Sequence, residues 1–444
     1  MGAAFLLSSL GIAQIRPTDK SGINVFESKK VTDSIPFDGI KVDIGGSFTQ
    51  SFQSLKHSNT ANPNSKWDGV IIYNTTTHLI DETKFKYVDQ NKLTPLVAGF
   101  NTANANLYLN TQLADGIVLN MTLYLSARHH NETWVKGGYI QFDKIPFIHL
   151  DLLDKVMEFT TLKVGHMEVN YGDAHFRRSD NGNSMYNPFM ENYIMDEFAT
   201  EIGAEADFQY NGLLAVVAAT NGEIKGDITE VAPVDGATSG KHNPAFIGKL
   251  GIDKQIGDNL RVRLTGSGYY TAGSISNTLF GGDRSGSHYY GVMDYAAPST
   301  SNAFSGRYNP GFSDKVTTFM GNLFVKFHGL EWFSTVESAS GRAKAEITGE
   351  RKATQLASDL VFRFGSDENF WLGARYNTVT AGVAAATPYD INIDRTAISA
   401  GWFVTKNIMA KAEYVTQNYN DFPASDIRNG GKFNGFVVEA VVGF

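Results

Sequence analysis

The chain has 444 residues, a formal net charge of −8 and no cysteine, which excludes a disulfide framework, a thiolate metal site and a cysteine nucleophile. The acidic balance argues against a nucleic-acid partner. Hydrophobic residues make up 42% of the chain, yet no run of about 18 apolar residues predicts a membrane-spanning helix. A transmembrane β-barrel has this average composition, because only every second strand residue faces lipid.

The N-terminus begins with a short apolar stretch, Met1 to Ala13, that ends in the small-x-small pattern Gly11-Ile12-Ala13. This stretch predicts a secretory signal peptide over residues 1–13, with Gln14 as the mature N-terminus; an ordinary N-terminal strand or helix is the alternative. Residues 14–38 are polar, without a sustained period. They predict a periplasmic N-terminal lead-in that is long enough to enter a lumen.

Alternation of apolar and polar residues predicts strands from residue 39 onward. In the clearest case, Leu107 and Leu109 alternate with Asn106 and Tyr108, and the turn Asp115-Gly116 leads into a second alternating run. An Asp-Gly turn between two such runs is typical of a hairpin. The same pattern predicts sixteen strands, over 39–55, 100–113, 117–129, 136–144, 158–171, 197–210, 213–221, 243–255, 260–273, 315–328, 331–341, 351–364, 369–381, 392–404, 407–419 and 431–444.

The connections between these strands alternate between long and short. The exception is 145–157, where Leu150, Leu153 and Val156 have helical spacing and predict a helical turn. Outer-membrane barrels have long extracellular loops and short periplasmic turns, and a single-chain bacterial barrel has an even number of strands. The long connections are 56–99, 130–135, 172–196, 222–242, 274–314, 342–350, 382–391 and 420–430.

The last stretch, Lys432 to Phe444, is apolar at every second position from Phe436 to Phe444 and ends on an aromatic residue. This resembles the C-terminal signal of bacterial outer-membrane β-barrels. We therefore expect an all-β fold: a transmembrane antiparallel barrel of sixteen strands over 39–444. A soluble double sandwich or propeller is the alternative. Aromatic residues expected on the outer face are Phe208, Tyr210, Phe246, Tyr270, Phe319, Phe327, Phe362, Phe364, Phe370, Tyr376, Trp402 and Tyr414.

The opposite face of the strands is polar, and a sixteen-stranded barrel leaves an aqueous channel. Acidic residues concentrate in 197–210, whereas basic residues dominate 243–275. The two groups form either opposed charged walls or a generally wet, polar lumen. The candidate pore-lining residues on the wall are Arg128, Glu205, Asp207, Lys249, Arg261, Arg263, Arg363 and Arg375.

The strand V-G-H-M-E-V-N-Y-G at 164–172, followed by a long third loop in a sixteen-stranded frame, resembles the general and anion-selective porins of Gram-negative bacteria. The resemblance implies that loop 172–196 folds into the barrel and narrows it. It also implies that the loop acids Asp180 and Glu191 face the wall arginines Arg261, Arg263 and Arg375.

Two loop cations, Arg177 and Arg178, depart from the acid-rich loop of that family. They leave preference for cations or anions open, and a patch that binds lipopolysaccharide phosphate is an alternative role for them.

These expectations combine into a passive outer-membrane channel for ions and small hydrophilic solutes, without catalysis, cofactor or metal. The resemblance implies a homotrimer in contact with outer-membrane lipid and lipopolysaccharide. One alternative is a barrel that transports a hydrophobic substrate past an N-terminal plug, although the polar inner face disfavours oily cargo. Another is an anchor subunit of a surface or secretion complex, with the long loops 56–99 and 274–314 as its contact surface.

Overall fold

Sixteen long strands form one antiparallel sheet in the computed structural model, which describes residues 16–28, 30, 37–67, 77, 80, 82–126, 132–179, 184–224, 242–282, 288–295, 306–346, 349–384 and 388–444. The strands are β1 (Lys41–Ser58), β2 (Asn104–Ala114), β3 (Ile117–Leu125), β4 (Trp134–Phe142), β5 (Thr160–Glu168), β6 (Thr200–Tyr210), β7 (Leu213–Thr220), β8 (Ala245–Ile256), β9 (Leu260–Thr271), β10 (Lys315–Phe327), β11 (Leu330–Arg342), β12 (Arg351–Phe364), β13 (Phe370–Val383), β14 (Tyr389–Thr405), β15 (Ile408–Asn420) and β16 (Lys432–Gly443).

The first strand closes the sheet into a barrel. Its lower part pairs with β2, from Lys41 to Thr49, and its upper part pairs with β16, from Ser47 to Ser58. Every other strand pairs with its two neighbours in the chain. Closure gives each of these sixteen strands a partner on both sides, as the hydrocarbon interior of a membrane requires. All sixteen predicted strands are confirmed, with ends that shift by a few residues.

The outer face of the barrel is apolar. On β16, Phe436 is 60% exposed and Val438 is 49% exposed, whereas Glu439 between them on the opposite face is 1% exposed. All twelve aromatic residues expected on the outer face are exposed. Such a belt around a closed barrel suits lipid hydrocarbon, and barrels of this kind are outer-membrane proteins. The protein is therefore an outer-membrane β-barrel, and the soluble alternatives are wrong.

Short turns join the strands at one rim, and the long connections lie at the other. Asn211 and Gly212 turn the β6–β7 hairpin with φ of 49° and 80°, the left-handed pair that a tight type I′ turn needs. The connection between β4 and β5 contains helix α1 (Asp151–Met157), so the helical turn is confirmed. No helix in the described ranges has the length and apolarity to cross a membrane.

The barrel interior is packed rather than open throughout. A buried cluster joins the wall residues Trp371 and Phe433 to Tyr171, Met190 and Ile194 of the connection that follows β5. The packing is tight at Gly401, where an added Cβ would lie 2.0 Å from the Trp371 ring. The lumen is therefore shaped by segments folded inside the barrel, and these segments position the candidate site.

Candidate functional site: the barrel lumen

The inner loop, residues 169–199, leaves β5 and folds into the lumen before β6 begins. Its described residues, 169–179 and 184–199, are all buried except Ala174 and Phe176, which are half-buried. The loop contains the whole of 172–196, the segment that the family resemblance places inside the barrel, and residues 180–183 of it lie outside the described ranges. Asp180, one of its two expected acids, lies outside the described residues, as does Arg128 of the wall.

Wall side chains from β12 to β15 hold the backbone of the inner loop. Three of them accept hydrogen bonds from loop N–H groups, in the pairs Met190–Glu413, Ile194–Asn377 and Met195–Gln355 at 2.8, 2.6 and 2.9 Å. The Lys411 ammonium donates to the carbonyls of Ser184, Asn187 and Phe189 at 2.9, 3.0 and 2.8 Å. These bonds satisfy backbone groups that burial would otherwise leave unpaired.

A four-charge cluster joins the start of the inner loop to β8 and β9. Arg263 Nη2 lies 2.7 Å from carboxylate oxygens of both Asp173 and Glu27, and Lys249 Nζ lies 3.2 and 3.0 Å from the same two acids. Burial would raise the pKa of Asp173, but Lys249 and Arg263 outweigh it and hold this pKa below its ordinary value. Both acids stay ionised at neutral pH, and the buried cluster is electrically balanced.

Two further wall arginines, Arg363 and Arg375, pair with acids on adjacent strands. Arg375 contacts Asp359 through two bonds of 2.7 and 2.8 Å. Its Nη1 donates to the backbone carbonyl of Glu191 at 2.7 Å. Arg363 donates to Glu331 at 2.8 Å. The wall therefore neutralises much of its own charge before any solute arrives.

The loop acid that meets a wall arginine differs from the expected one. The Glu191 carboxylate accepts from the backbone N–H groups of Asn192 and His288, at 2.8 and 2.6 Å. Asp173 is the loop acid that contacts Arg263, and no feature of the sequence except its place after β5 indicated this role. Arg261 instead contacts Asp253 at 2.8 and 2.6 Å.

The two loop cations are buried rather than displayed at the surface. Arg178 contacts Asp196 within the loop at 3.1 and 2.6 Å, and Arg177 donates to the side chain of Asn24 at 2.7 Å. Neither residue is more than 4% exposed, so both belong to the packed lumen.

The N-terminal segment, residues 16–28, enters the lumen from the short-turn rim. Two hydrogen bonds hold its start at that rim. The Thr18 hydroxyl donates to the carbonyl of Phe444 at 2.6 Å, and the backbone N–H of Lys20 donates to the carbonyl of Lys406 at 2.8 Å. Deeper in the barrel, the carbonyl of Asn24 accepts from Arg261 at 2.9 Å. The sequence indicated only that this lead-in is long enough to reach the lumen.

Two cavities remain between these inner segments and the wall formed by β1–β6. Their volumes are about 400 Å³ and about 190 Å³. The larger cavity reaches Gly45 and Phe444 at the short-turn rim, and the smaller one reaches Lys136 and Thr200 nearer the long loops. Both are lined by Tyr108, Asn120, Thr122, Tyr139, Met167 and Glu168. We call this pair of cavities the β1–β6 passage.

The lining of the β1–β6 passage is polar, and several of its charges are paired. Lys163 Nζ lies 2.7 Å from both Glu205 and Asp207, and His175 Nδ1 lies 2.8 Å from Glu168. Burial lowers the pKa of His175 below its ordinary value, against the opposing effect of Glu168. Amide, hydroxyl and phenol groups are thus prominent in what a solute would meet.

Within the described residues, no group of three His, Asp or Glu side chains is placed to hold a metal ion. A further cavity of about 540 Å³ lies at the short-turn rim, between Lys20 of the N-terminal segment and Arg261, Lys326 and Arg363 of the wall.

Solved structures share this fold at low sequence identity. An anion-selective porin from Comamonas acidovorans has a TM-score of 0.51 at 8% identity, over 91% of this chain and 100% of that chain. A loop-deletion mutant of OmpT, an outer membrane protein of Vibrio cholerae, has a TM-score of 0.48 at 11% identity, over 92% and 100%. OmpF of Salmonella typhi has a TM-score of 0.45 at 11% identity, over 93% and 100%.

No protein-family model matches the chain, and no curated protein sequence matches it. At such identities the likeness shows the fold alone, which is the sixteen-stranded barrel of outer-membrane porins.

Proposed function

We propose that this protein is a passive channel in the outer membrane of a Gram-negative bacterium, through which ions and small hydrophilic solutes diffuse. The observation that supports this proposal is the β1–β6 passage. Its two polar cavities share six lining residues and extend from the short-turn rim toward the long loops. We propose no catalytic role for the lumen.

In this proposal the two groups of candidate pore residues have different tasks. Glu205 lines the β1–β6 passage and meets the solute directly. Lys249, Arg263 and Arg375 bind the inner loop or the N-terminal segment. They hold these segments in place opposite β1–β6, and so they set the width of the passage. Arg177 and Arg178 act from within the loop itself.

The pairing of charges supports weak ion selectivity. A wall arginine that already contacts a carboxylate presents little net field to a passing ion. We therefore expect a reversal potential close to zero in a potassium chloride gradient, with solutes sorted mainly by size.

The absence of cysteine from the chain makes a direct test of the path possible. Thr122 lines both cavities of the β1–β6 passage, so a charged thiol reagent should reduce the planar-bilayer current of Thr122→Cys. Thr335 faces the packed half of the lumen and is 0% exposed, and Thr335→Cys is the matched control whose current should not change.

Two outcomes would overturn the proposal. The barrel would not be a channel if the purified protein gave no conductance steps in the bilayer. The path would lie elsewhere if steps were seen but the thiol reagent left the Thr122→Cys current intact.

One observation favours the rival hydrophobic-substrate transporter, because the N-terminal segment does enter the lumen as a plug would. Against it, the β1–β6 passage is lined by asparagine, threonine and tyrosine at Asn110, Asn120, Thr122 and Tyr139, which are costly surroundings for oily cargo. A barrel sealed by a plug would give no steady conductance without its cargo, so the same recording separates the two functions.

The family resemblance and the exposed apolar belt support two further parts of the proposal. We expect the barrels to assemble as a homotrimer in contact with lipid and lipopolysaccharide. Native mass spectrometry from detergent would give the oligomeric state and would report lipid that is retained with the protein.

A further inference from the structure

A water-sized cavity of about 20 Å³ lies beneath the inner loop, on the packed side of the lumen. Three arginines line it: Arg177 and Arg178 from the loop and Arg375 from β13. Asp196 and Glu197 are the two acids on its lining. Three guanidinium groups around so small a space are unusual, because like charges repel unless an anion lies among them.

Arg177 carries donors that the protein leaves unused. Its Nη1 donates to Asn24, but Nε and Nη2 are buried and have no hydrogen-bond partner. Nη2 lies 3.9 Å from Glu331, beyond hydrogen-bond distance. The residue is 4% exposed, so bulk water does not solvate these groups. A buried donor without an acceptor is destabilising, and a charged donor more so.

The acceptors of Asp196 and His175 on the cavity lining are already engaged, whereas the buried hydroxyl of Tyr193, which also lines the cavity, has no hydrogen-bond partner. Asp196 accepts from Arg178 at 2.6 Å and from Asn192 at 3.2 Å, and it also contacts Arg307. Both ring nitrogens of His175 have partners, in Glu168 and Asn170. Among the described lining residues, the unused hydrogen-bonding capacity therefore includes the two donors of Arg177 and one hydroxyl, which can donate as well as accept.

The charge of Arg177 is only partly compensated. Burial, and then the charge of Glu337, raises the pKa of Glu197 well above its ordinary value, so burial disfavours the ionised form of this lining acid. Asp196 contacts Arg178, and Asp359 contacts Arg375, whereas the nearest carboxylate oxygen of Glu331 lies 3.9 Å from Arg177. Burial also lowers the pKa of Arg177, which the carboxylates of Glu331 and Asp359 only partly offset.

A water molecule would satisfy this cavity less well than an anion would. Water accepts hydrogen bonds but must also donate two of its own, and among the described lining side chains the Tyr193 hydroxyl is the acceptor that lacks a partner. A small anion only accepts, and its bonds to guanidinium groups are charge-assisted.

We propose that this cavity binds one small inorganic anion of halide size, held by Arg177 against Arg178 and Arg375. Because Arg177 also contacts Asn24, the bound anion joins the inner loop to the N-terminal segment. The site anchors the loop and is a different cavity from those of the passage that solutes use, although His175 lies on the lining of both, so this inference goes beyond channel activity.

Bromide tests the site directly. Crystals of the full-length protein grown with bromide in place of chloride should show an anomalous difference peak in the cavity, next to Arg177 Nε. A non-anomalous density peak of water in the same place would overturn the proposal. Anomalous peaks confined to the protein surface would overturn it as well.

A stability measurement tests the site in solution. The thermal midpoint of the wild type in detergent should be higher in chloride or bromide than in gluconate of equal ionic strength, because gluconate is too large for the cavity. Arg177→Met keeps the length of the side chain but removes its donors, and it should abolish the difference between the salts.

Arg428→Gln is the matched control, because Arg428 contacts Asp426 in the connection between β15 and β16, away from the lining of this cavity. It should keep the wild-type difference between the salts. If Arg177→Met does not fold, the bromide experiment on the wild type decides alone. Conductance is measured independently, so failure of this site leaves the channel proposal standing, and failure of the channel leaves the site testable.

Discussion

The two halves of the barrel wall differ in how they contact the segments inside the lumen. From β8 to β16, polar and charged side chains such as Lys249, Arg263 and Lys411 bind the inner loop or the N-terminal segment through short contacts. From β1 to β6, side chains such as Asn120, Thr122 and Tyr139 face the two cavities of the β1–β6 passage. We call the first half the clamp.

The difference shows how one fold can both restrict a pore and leave it passable. The charged side chains of the clamp bind the inner loop and the N-terminal segment, and burial strengthens each of these contacts. Polar groups along the passage remain available to water and solute. Stability should therefore depend mainly on the clamp, and permeation on the passage, and four experiments test this division.

The largest effect is expected at the four-charge cluster of the clamp. Arg263→Met removes one of the two cations that contact Asp173 and Glu27, and breaking a buried ion pair from one side costs about 3–5 kcal/mol. The free energy of unfolding should fall by about this amount, and single-channel current should become noisier as the inner loop loosens. Lys163→Met, in the passage, is the comparison. Its free energy of unfolding should fall by less, because Lys163 is 18% exposed and water can solvate the carboxylates that lose their partner.

A larger side chain should also affect the two halves of the wall differently, with a smaller loss of stability than Arg263→Met. Thr335→Trp overpacks the clamp and should lower the free energy of unfolding by about 1–3 kcal/mol. Thr122→Trp fills space in the passage instead, so it should reduce conductance with little loss of stability. Equal effects of the two substitutions on conductance would contradict the division.

A pH effect is expected at the end of the inner loop. Glu197 accepts a bond of 2.9 Å from Gln355, and burial with the charge of Glu337 raises its pKa well above the ordinary value. Its protonated form therefore stabilises the fold fully below the unfolded pKa of about 4.3, and this contribution is lost as pH rises through the folded pKa.

The thermal midpoint should accordingly decrease as pH rises above the unfolded pKa of about 4.3, and the decrease should be shallower in Glu197→Gln, which cannot ionise. An identical slope in the variant would assign the pH dependence to other groups.

The smallest effect is expected at the rim. Lys144 contacts Asp115 at 3.0 Å, with side chains 38% and 41% exposed. An exposed pair of this kind contributes at most about 1 kcal/mol. Lys144→Ala should therefore change the free energy of unfolding by no more than about 1 kcal/mol and should leave the conductance unchanged. A large effect would mean that the rim takes part in holding the lumen closed.

Strand positions and the directions of their side chains could be read from the sequence, because alternation has a period of two and each side of the wall meets a different solvent. Several charge pairs between adjacent strands can be predicted from the same alternation. Asp359 lies directly opposite Arg375, and Lys411 directly opposite Glu439, on adjacent strands. Once a hairpin register is known, such pairs follow from it.

The partners inside the lumen were not accessible in this way. Asp173 meets Arg263 across 90 residues of chain, and Asn24 meets Arg177 across 153. The resemblance to porins implied that the loop acids Asp180 and Glu191 face the arginines, but no local rule fixes where an irregular segment lies once it leaves a strand.

The sequence by itself therefore determined the barrel, its sixteen strands and its polar interior, since these depend on short-range periodicity and on lipid outside the wall. Only the tertiary structure decided which half of the wall binds the inner loop and which half faces the cavities. The reason is that hydrogen bonds to irregular backbone depend on where distant segments meet, and neither periodicity nor composition encodes that meeting point.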